Sequence, residues 1–380
     1  MNILLVNYEY KGQGGGAGQQ LYYMANAFME AGHDVSLLIG WDGSYGEPEL
    51  LDNVITHIIK CKRKNIQLST PVGLLFFAIR GVIRINKLTK KFTYDIIQFY
   101  FSVPTGILKY GIHGKIPYVV SLRGMDIPGL QKNKYRNLTY LTAPINKNIT
   151  KNAATVICNS SESAFVYKKF FPIVNINVIP NAINYINFTT KTEYSAEIRK
   201  FVTVSRLVSW KRIDLLIDTV IILRNKYPNI CLDIYGQGYQ YKYLSERIID
   251  NKAENYIKLI GYIEKVRLMN DLCRYDMFAF PSTGDSCPNV LLEAMACGLP
   301  VIAANAGGSS DLIEDNISGI FFRPNDIDDT IQKMEYCIMN PAEITKIGIN
   351  GFDRVKKNYS IYAAADKHID IYNGIINSRR

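Results

Sequence analysis

The chain has 380 residues, of which 48% are hydrophobic and 21% charged, and its formal net charge is +10 at pH 7. The composition excludes a disordered or low-complexity protein, and the length exceeds one ordinary hydrophobic core, so two globular domains are expected. Seven scattered cysteines without metal-type spacing and the shortness of every apolar run exclude a disulfide scaffold and a membrane-spanning protein. The opening residues lack the basic region of a signal peptide, so we expect a cytoplasmic protein.

Short β-branched and apolar runs alternate with longer amphipathic stretches, which predicts parallel strands joined by crossover helices. A first series of strands is expected near Ile3–Val6, Asp34–Ile39, Asp95–Phe99, Tyr118–Ser121, Thr155–Cys158 and Asn177–Ile179. A second series is expected near Phe201–Val204, Leu232–Tyr235, Ile257–Ile260, Met277–Phe280 and Val301–Ala303.

The polar stretch at residues 184–199 separates the two series and marks a linker. The predicted fold class is therefore α/β, with two Rossmann-like domains facing each other across a cleft. The first domain covers residues 1–185 and the second residues 186–360. Residues 361–380 are expected to form a C-terminal helix that packs back toward the first domain.

The excess positive charge lies in the first half of the chain. Residues 1–185 carry 20 Lys and Arg against 10 Asp and Glu, whereas residues 186–380 carry 24 against 24. This imbalance predicts an anionic partner for the first domain.

Part of that charge falls on a helix predicted over residues 72–91. One stripe of this helix carries Arg80, Arg84, Lys87 and Lys91, with Leu75, Ile79, Val82 and Ile83 facing elsewhere, and it follows Lys60, Lys62, Arg63 and Lys64. The stripe is either a solvated face of a domain helix or a peripheral contact with an anionic membrane. Both interpretations stay open at this point.

A glycine-rich segment, residues 11–18, follows the first predicted strand and precedes a helix. Glycines at such a turn let backbone N–H groups approach an anion at the positive end of a helix, which favours contact with a phosphate or a sugar. A flexible turn and a dinucleotide fingerprint are the alternatives. The fingerprint is disfavoured because position 19 is Gln and the strand after the helix ends in Trp41 rather than an acidic residue.

Two cations, Arg206 and Lys211, follow the first strand of the second series. Such a pair can neutralise a diphosphate leaving group without a metal, although on its own it is more often a solvated loop.

Residues 281–301 are the most informative segment. They predict a strand end, a tight polar loop, and a helix from about Asn289 to Cys297 that Gly298 and Pro300 end. Asp285 and Glu293 stand eight residues apart, one at the loop and one two turns along the helix. In isolation, they could simply cap and decorate the helix.

In their order and spacing these segments resemble the family 4 glycosyltransferases of GT-B architecture. The resemblance rests on GGGAG at 14–18, RGMDIPG at 123–129, IPNAIN at 179–184, SRLVSWKR at 205–212, YGQG at 235–238, and the 281–301 block with Gly307 and Gly308 after it. The block looks like the family's E-x7-E element with Asp in place of the first Glu. It is the specific part of the resemblance.

The resemblance implies roles for individual residues. Arg206 and Lys211 match the basic pair on the donor diphosphate, Glu293 the carboxylate on the ribose hydroxyls, and Asp285 the acid at the transferred sugar. Gly15 and Gly16 match the loop that closes over the diphosphate. The segment whose backbone amides hold the sugar corresponds to Ser286, Cys287, Pro288, Asn289 and Val290.

Arg123 and Asp126 lie where many members have a His-Gly-x-Asp element facing the donor sugar. Arg123 in place of His is the largest departure from the family pattern. The other departures are Asp285 in place of Glu, Ser205 in place of Gly, and Ala182 and Asn184 in place of Gly and Asp. A cation at position 123 would suit an acidic group on the donor or the acceptor.

Asp326 and Asp328 have the D-x-D form that metal-dependent transferases of another fold use. They stand at a predicted helix start, where acidic residues stabilise the helix dipole, so we expect no essential metal and no other cofactor.

The expected function is transfer of a sugar, with retention of anomeric configuration, from a nucleotide diphosphate sugar, with UDP favoured as the nucleotide. The expected acceptor is a glycan or a lipid-linked glycan in cell-surface polysaccharide synthesis. The alternatives are a sugar-nucleotide epimerase of similar fold, which the position of all four histidines outside the motifs disfavours, and a non-catalytic partner subunit.

Overall fold

The computed structural model describes residues 1–66, 68–130, 136–172 and 174–379. Its contacts divide the chain into two units, Met1–Ala182 with Ile361–Arg380, and Ile183–Ser360. The strands are β1 Asn2–Asn7, β2 Asp34–Trp41, β3 Ile55–Lys60, β4 Ile96–Tyr100, β5 Tyr118–Leu122, β6 Thr155–Cys158, β7 Ile176–Val178, β8 Lys200–Val204, β9 Cys231–Tyr235, β10 Ile257–Gly261, β11 Met277–Phe280, β12 Val301–Ala304 and β13 Ile320–Phe322.

The helices follow the same numbering along the chain. They are α1 Gly16–Glu30, α2 Pro71–Lys91, α3 Arg136–Leu141, α4 Ala143–Lys151, α5 Ser161–Phe170, α6 Ile213–Arg224, α7 Tyr241–Asp250, α8 Lys265–Asp271, α9 Asn289–Ala296, α10 Ser309–Leu312, α11 Ile327–Met339, α12 Pro341–Asn358 and α13 Ile361–Asn377.

Each unit is built on its own parallel sheet. The strand order is β3-β2-β1-β4-β5-β6-β7 in the first unit and β10-β9-β8-β11-β12-β13 in the second. In both orders the first strand of the unit lies inside the sheet, and later strands are added first on one side of it and then on the other. This is the doubly wound Rossmann arrangement. The predicted α/β class with two Rossmann-like domains is therefore confirmed.

The central strands are buried on both faces, and this explains why they read as unbroken apolar runs. Residues 3–6 of β1 are fully buried, and β1 pairs with β2 and β4 in parallel register. In α1, Leu21, Met24, Ala25 and Phe28 form the buried stripe that the sequence predicts.

Two strands were not expected from the sequence. β3 is an edge strand with only Ile59 buried, so its alternation is weak, and β13 is three residues long. Both lie at the periphery of their sheets, where burial imposes the least pattern on the sequence.

Helix α13 belongs to the first unit. His368 and Tyr372 pack against Phe28 of α1, with ring centroids 6.0 and 5.8 Å from the phenylalanine ring, and the Tyr372 hydroxyl donates to Gln98 Oε1 in β4. The last helix therefore covers the first unit rather than the second, whose residues directly precede it in sequence.

Burial and the nearby Arg123 charge lower the pKa of His368 to about 4, although its bond to the Ala364 carbonyl opposes the shift. In the unfolded chain this histidine binds its proton at about pH 6.5. Between about pH 4 and pH 6.5, the unfolded chain therefore binds more protons than the folded chain does. We expect the free energy of unfolding to fall by up to about 3 kcal/mol as pH drops through this window.

This prediction is tested by denaturant unfolding between pH 4 and pH 7.5. His368→Leu should remove that part of the pH dependence, while His113→Leu, a change at an exposed histidine, should retain it. Parallel pH profiles for wild type and His368→Leu would contradict it.

Candidate functional site

The carboxyl ends of β8, β11 and β12 are neighbours in the second sheet, and three loops meet there. The loop after β8 and the loop after β11 are joined by the Thr283 N–H, which donates to the Trp210 carbonyl at 2.9 Å. The loop after β12 joins them through the Gly308 N–H, which donates to the Asp285 carbonyl at 2.8 Å. The predicted motifs at 205–212, 281–288 and 307–308 therefore form one cluster.

Glycines make this close approach of backbones possible. A Cβ on Gly236 would lie 1.7 Å from the Ser205 carbonyl oxygen, and one on Gly308 would lie 1.9 Å from the Ser286 carbonyl oxygen. No side chain fits at either position without moving backbone. The YGQG and Gly307-Gly308 motifs are thus required by the packing of the loop cluster.

Lys211 and Asp285 form an ion pair in this cluster. Lys211 Nζ lies 2.7 Å from Asp285 Oδ2, with side-chain exposures of 8% and 23%. The Ser282 hydroxyl donates to the same carboxylate oxygen, and the ammonium lies 5.0 Å from the centre of the Phe280 ring. Because a buried ammonium needs a counter-charge, Asp285 is what compensates Lys211 in this state.

Arg206 is placed differently. Its side chain is exposed and lies over the Trp210 ring at 5.9 Å, and it makes no ion pair with any residue that the structure describes. The structure therefore brings Arg206 into the loop cluster without a carboxylate partner among the described residues.

Glu293 lies on the buried side of α9 and pairs with Lys265, at 2.8 Å between Oε1 and Nζ. The predicted helix bounds agree with α9, which ends one residue before Cys297. The Pro288 residue at the amino end of α9 provides no side-chain cap to the first turn, around Asn289 and Val290. Lys265 was not singled out from the sequence, because its pairing with Glu293 depends on the packing of α8 beside α9.

In the first unit, the glycine-rich loop holds a carboxylate of the chain itself. Glu9 Oε2 accepts the Gly15 N–H at 3.0 Å, and a Cβ on Gly14 would lie 2.5 Å from Glu9 Cδ. Glu9 is 6% exposed, and its burial raises the pKa of the carboxyl against the lowering effects of Gly15 and Arg63. Glu9 thus stands at the amino end of α1, which begins at Gly16, where the predicted anion would bind.

Asp126 fastens the loop after β5. Its Oδ1 accepts the Arg123 N–H at 3.1 Å, and its Oδ2 accepts the Ser102 N–H at 2.8 Å. Burial raises the pKa of this carboxyl despite these bonds. The Arg123 guanidinium bonds to Asn181 Oδ1 at 2.7 Å and lies 4.7 Å from the centre of the Tyr100 ring.

Asp326 caps α11, since its Oδ1 accepts the Asp329 N–H at 3.0 Å. The predicted role of this segment as helix-terminal charge is confirmed. Among the described residues, no group of three or more His, Cys, Asp or Glu side chains could hold a metal ion.

The two stripes predicted on α2 are both exposed. Leu75, Ile79 and Ile83 are 61%, 52% and 56% exposed and lie on the same outer side as the exposed Arg80 and Arg84. The helix instead packs inward through its other side, made of Gly73, Phe77, Ala78, Gly81, Ile85, Leu88 and Thr89. The outer face, named here the α2 face, is thus both basic and apolar. In the parts of the chain that the structure describes, no helix is long and apolar enough to span a membrane.

Comparison with protein families assigns both units. Residues 14–185 match the model "Glycosyltransferase Family 4", and residues 190–354 match "Glycosyl transferases group 1". The chain is a family 4 glycosyltransferase of the GT-B type. This family assignment leaves the epimerase alternative without support.

Two curated relatives illustrate the range of this glycosyltransferase family. The GtfA component of the UDP-N-acetylglucosamine–peptide N-acetylglucosaminyltransferase from Streptococcus agalactiae is 32% identical over 44% of this chain and 32% of its own length. The chain thus aligns with about a third of that relative. A component of the phosphatidylinositol N-acetylglucosaminyltransferase from Arabidopsis thaliana is 22% identical over 98% of this chain and 82% of its own.

Solved structures share the fold over essentially the whole glycosyltransferase chain. Sucrose-phosphate synthase from Thermosynechococcus elongatus has a TM-score of 0.80 and 18% identity, covering 100% of both chains. HepE from Anabaena, solved in complex with UDP, has a TM-score of 0.75 and 20% identity, covering 98% of this chain and 100% of its own.

The Lys211–Asp285 pair predicts a stability difference. Asp285→Asn leaves a buried ammonium without a carboxylate, so we expect a loss of about 3 kcal/mol in the free energy of unfolding. The matched control is Glu246→Gln, which breaks the pair with Lys242, where the side-chain exposures are 87% for the lysine and 59% for the glutamate. Chemical denaturation should give a change below about 0.5 kcal/mol for the control. Equal losses in the two variants would show that Lys211 does not depend on Asp285.

Proposed function

We propose that this glycosyltransferase moves a hexose, with retention of anomeric configuration, from a UDP-sugar to a glycan or lipid-linked glycan acceptor in cell-surface polysaccharide synthesis. The observation that carries the proposal is the cluster in the second unit that holds Lys211, Asp285 and Arg206 on adjoining loops. Cations and a carboxylate at the carboxyl ends of parallel strands suit a diphosphate with a sugar attached.

UDP is favoured as the nucleotide by what the relatives bind. One curated relative acts with UDP-N-acetylglucosamine, and HepE was solved with UDP. A lipid-linked acceptor is favoured by the α2 face and by the relative whose acceptor is phosphatidylinositol.

In the proposed reaction, the bond from the anomeric carbon to the diphosphate oxygen breaks and a bond to the acceptor oxygen forms on the same face of the sugar. The departing phosphate oxygen takes the proton of the acceptor hydroxyl. Arg206 and Lys211 stabilise the charge that develops on the diphosphate, and this replaces the role of a metal ion. Lys211 therefore leaves Asp285 for the diphosphate, and Asp285 becomes an acceptor for sugar hydroxyls.

Glu293 is proposed to bind the ribose. Its Oε1 is engaged by Lys265, and hydrogen bonds that hydroxyl groups donate to the carboxylate are strengthened by its negative charge. The segment from Ser286 to Val290 holds the sugar through backbone amides. Arg123 and Asp126 act from the first unit, Arg123 as a cation toward an acidic group and Asp126 by fixing the loop that carries it.

The α2 face is proposed as a peripheral contact with an anionic membrane on the cytoplasmic side. Exposed Leu75, Ile79 and Ile83 can enter the headgroup region, while neighbouring cations meet lipid phosphates. Charge complementarity with anionic lipids is supported by the 20-against-10 excess of basic residues in residues 1–185.

The division of labour between the two carboxylates gives the test of the proposed reaction. Glu293→Gln should weaken binding of free UDP by about tenfold to a hundredfold, because it removes the negative charge that strengthens the hydrogen bonds from the ribose hydroxyls. Asp285→Asn should bind free UDP no more weakly than wild type does, because Lys211 is released for the diphosphate. It should turn over more slowly, because the Asp285 contact matters at the sugar.

Isothermal titration with UDP and steady-state transfer from UDP-sugars, both with EDTA present, would check this prediction. Wild-type turnover should survive EDTA, and complete loss that Mg²⁺ restores would overturn the metal-free reaction. Equal weakening of UDP binding by both substitutions would overturn the division of labour. Absence of UDP binding in the wild type would overturn the choice of nucleotide.

The membrane contact has a separate test. Vesicles containing anionic lipid should bind the protein at low salt and release it as salt rises, since each basic residue near the surface is worth about 1 kcal/mol. Ile79→Ser with Ile83→Ser should reduce binding at every salt concentration, whereas Lys87→Gln with Lys91→Gln should reduce it mainly at low salt. Ile349→Ser, at an exposed isoleucine of α12, is the control. Equal binding to neutral vesicles, or no binding to either kind of vesicle, would leave the basic stripe of α2 as solvated surface.

A further inference from the structure

Arg63 differs from the basic residues around it. Lys60, Lys62 and Lys64 are exposed, whereas Arg63 is 7% exposed. It lies just after β3, on the segment that leads from the carboxyl edge of the first sheet to α2. A basic run that looks uniform in the sequence therefore sends one guanidinium inward.

The buried guanidinium uses few of its donors. Nη1 donates to the Tyr8 carbonyl at 3.3 Å, while the Arg63 backbone N–H donates to Asp42 Oδ2 at 2.7 Å. Nε and Nη2 are shielded and have no hydrogen-bond partner among the described residues. Arginine carries five N–H donors in a planar fork, and leaving buried donors unmet is destabilising. Such a group is suited to an oxyanion.

The acid that attracts Arg63 electrostatically does not fill this need. Glu9 attracts Arg63 electrostatically, but its carboxylate bonds to the Gly15 N–H instead of the guanidinium. The Gly14 N–H donates to the Ile66 carbonyl at 2.9 Å and so joins the glycine-rich loop to the segment that carries Arg63. Two groups that bind oxyanions, the Arg63 guanidinium and the amino end of α1, thus lie on two linked loops, and the Glu9 carboxylate lies beside them.

We propose that Arg63 binds the phosphate of a phosphate-bearing acceptor beside the glycine-rich loop, and that the Glu9 carboxylate opposes this phosphate while it holds the Gly15 amide. The inference rests on the proposed glycosyl transfer and names the chemical class of its acceptor. Both unpartnered nitrogens are shielded among the described residues, so binding of an anion to them requires the 61–66 segment to move. The exposed lysines of the same segment attract the phosphate toward it.

Phosphate could come from a lipid headgroup or from a soluble sugar phosphate. The experiment is isothermal titration of the full chain with glycerol 3-phosphate and with a short-chain phosphatidylglycerol below its micelle concentration. UDP is present at saturation to fill the donor site in the second unit. The variants are Arg63→Met, Arg63→Lys and Glu9→Gln, with Lys62→Met as the matched control on the same segment.

The wild type should bind both probes, and Arg63→Met should weaken binding by about tenfold or more. Arg63→Lys should weaken it in part because the fork is lost, whereas Glu9→Gln should tighten it because the competing carboxylate is neutral. Lys62→Met should have a small effect that salt removes. Tighter binding of the lipid probe would show that the phosphate belongs to a lipid. Equal binding of the two probes would show that it belongs to a soluble acceptor.

Affinity that is unchanged in Arg63→Met, or lowered in Glu9→Gln, would overturn the inference and leave Glu9 as the cap of α1. If Arg63→Met fails to fold, Arg63→Lys and Glu9→Gln decide the question. A separate UDP titration of each protein, before UDP is added to saturation, distinguishes failure of this site from failure of the donor site. A wild type that binds UDP but neither phosphate probe refutes this site alone, whereas a wild type that does not bind UDP refutes the proposed donor.

Discussion

Burial of every central strand on both faces is the constraint on which the rest of the molecule depends. In β1 and β8 the backbone forms hydrogen bonds with neighbouring strands, and the apolar side chains pack in the core. Chemistry is therefore left to the loops that leave the carboxyl ends of the strands and to the helices that follow those loops. The glycines at positions 236 and 308 follow from this, because several loops must leave one edge and contact each other without side chains between them.

The charged groups of these loops are compensated within the chain. Lys211 is paired with Asp285, Glu293 with Lys265, and the Gly15 amide with Glu9. A ligand that binds these groups must replace an internal partner, so its affinity reflects the difference between two sets of contacts rather than the new contacts alone. Such a site selects its ligand by geometry and charge together. Only a ligand that binds both members of a separated pair regains the interaction free energy that is lost when the pair breaks.

The sequence predicts the fold well where burial imposes a long pattern, and less well elsewhere. The buried strands β6 and β11 have the predicted bounds, whereas β3 and β13 were missed because edge strands carry little alternation. Asp326 was recognised as a helix cap because a cap depends on local sequence. The exposure of the apolar stripe of α2 could not be predicted, because helical periodicity separates residues into stripes but does not tell which stripe the rest of the unit covers.

The site residues divide along the same line. Lys211, Asp285 and Glu293 lie in segments with a specific spacing, and the structure places Lys211 and Asp285 in contact. Glu9 and Lys265 carry no local signal. Their importance depends on contacts with a glycine loop and a neighbouring helix, which only the folded chain creates.

The departure at position 123 can be understood from its surroundings in the first unit. The Arg123 guanidinium bonds to a neutral amide, Asn181, and faces the Tyr100 ring, while Asp126 uses its carboxylate on backbone N–H groups. The nearby His368 is kept neutral by burial and by the Arg123 charge, which lowers its pKa. Arginine in place of histidine thus puts a planar guanidinium, with its five N–H donors, beside an amide and an aromatic ring. Because helix α13 supplies the neutral side of this environment, the C-terminal helix contributes to the electrostatics of the loop after β5 as well as to the core.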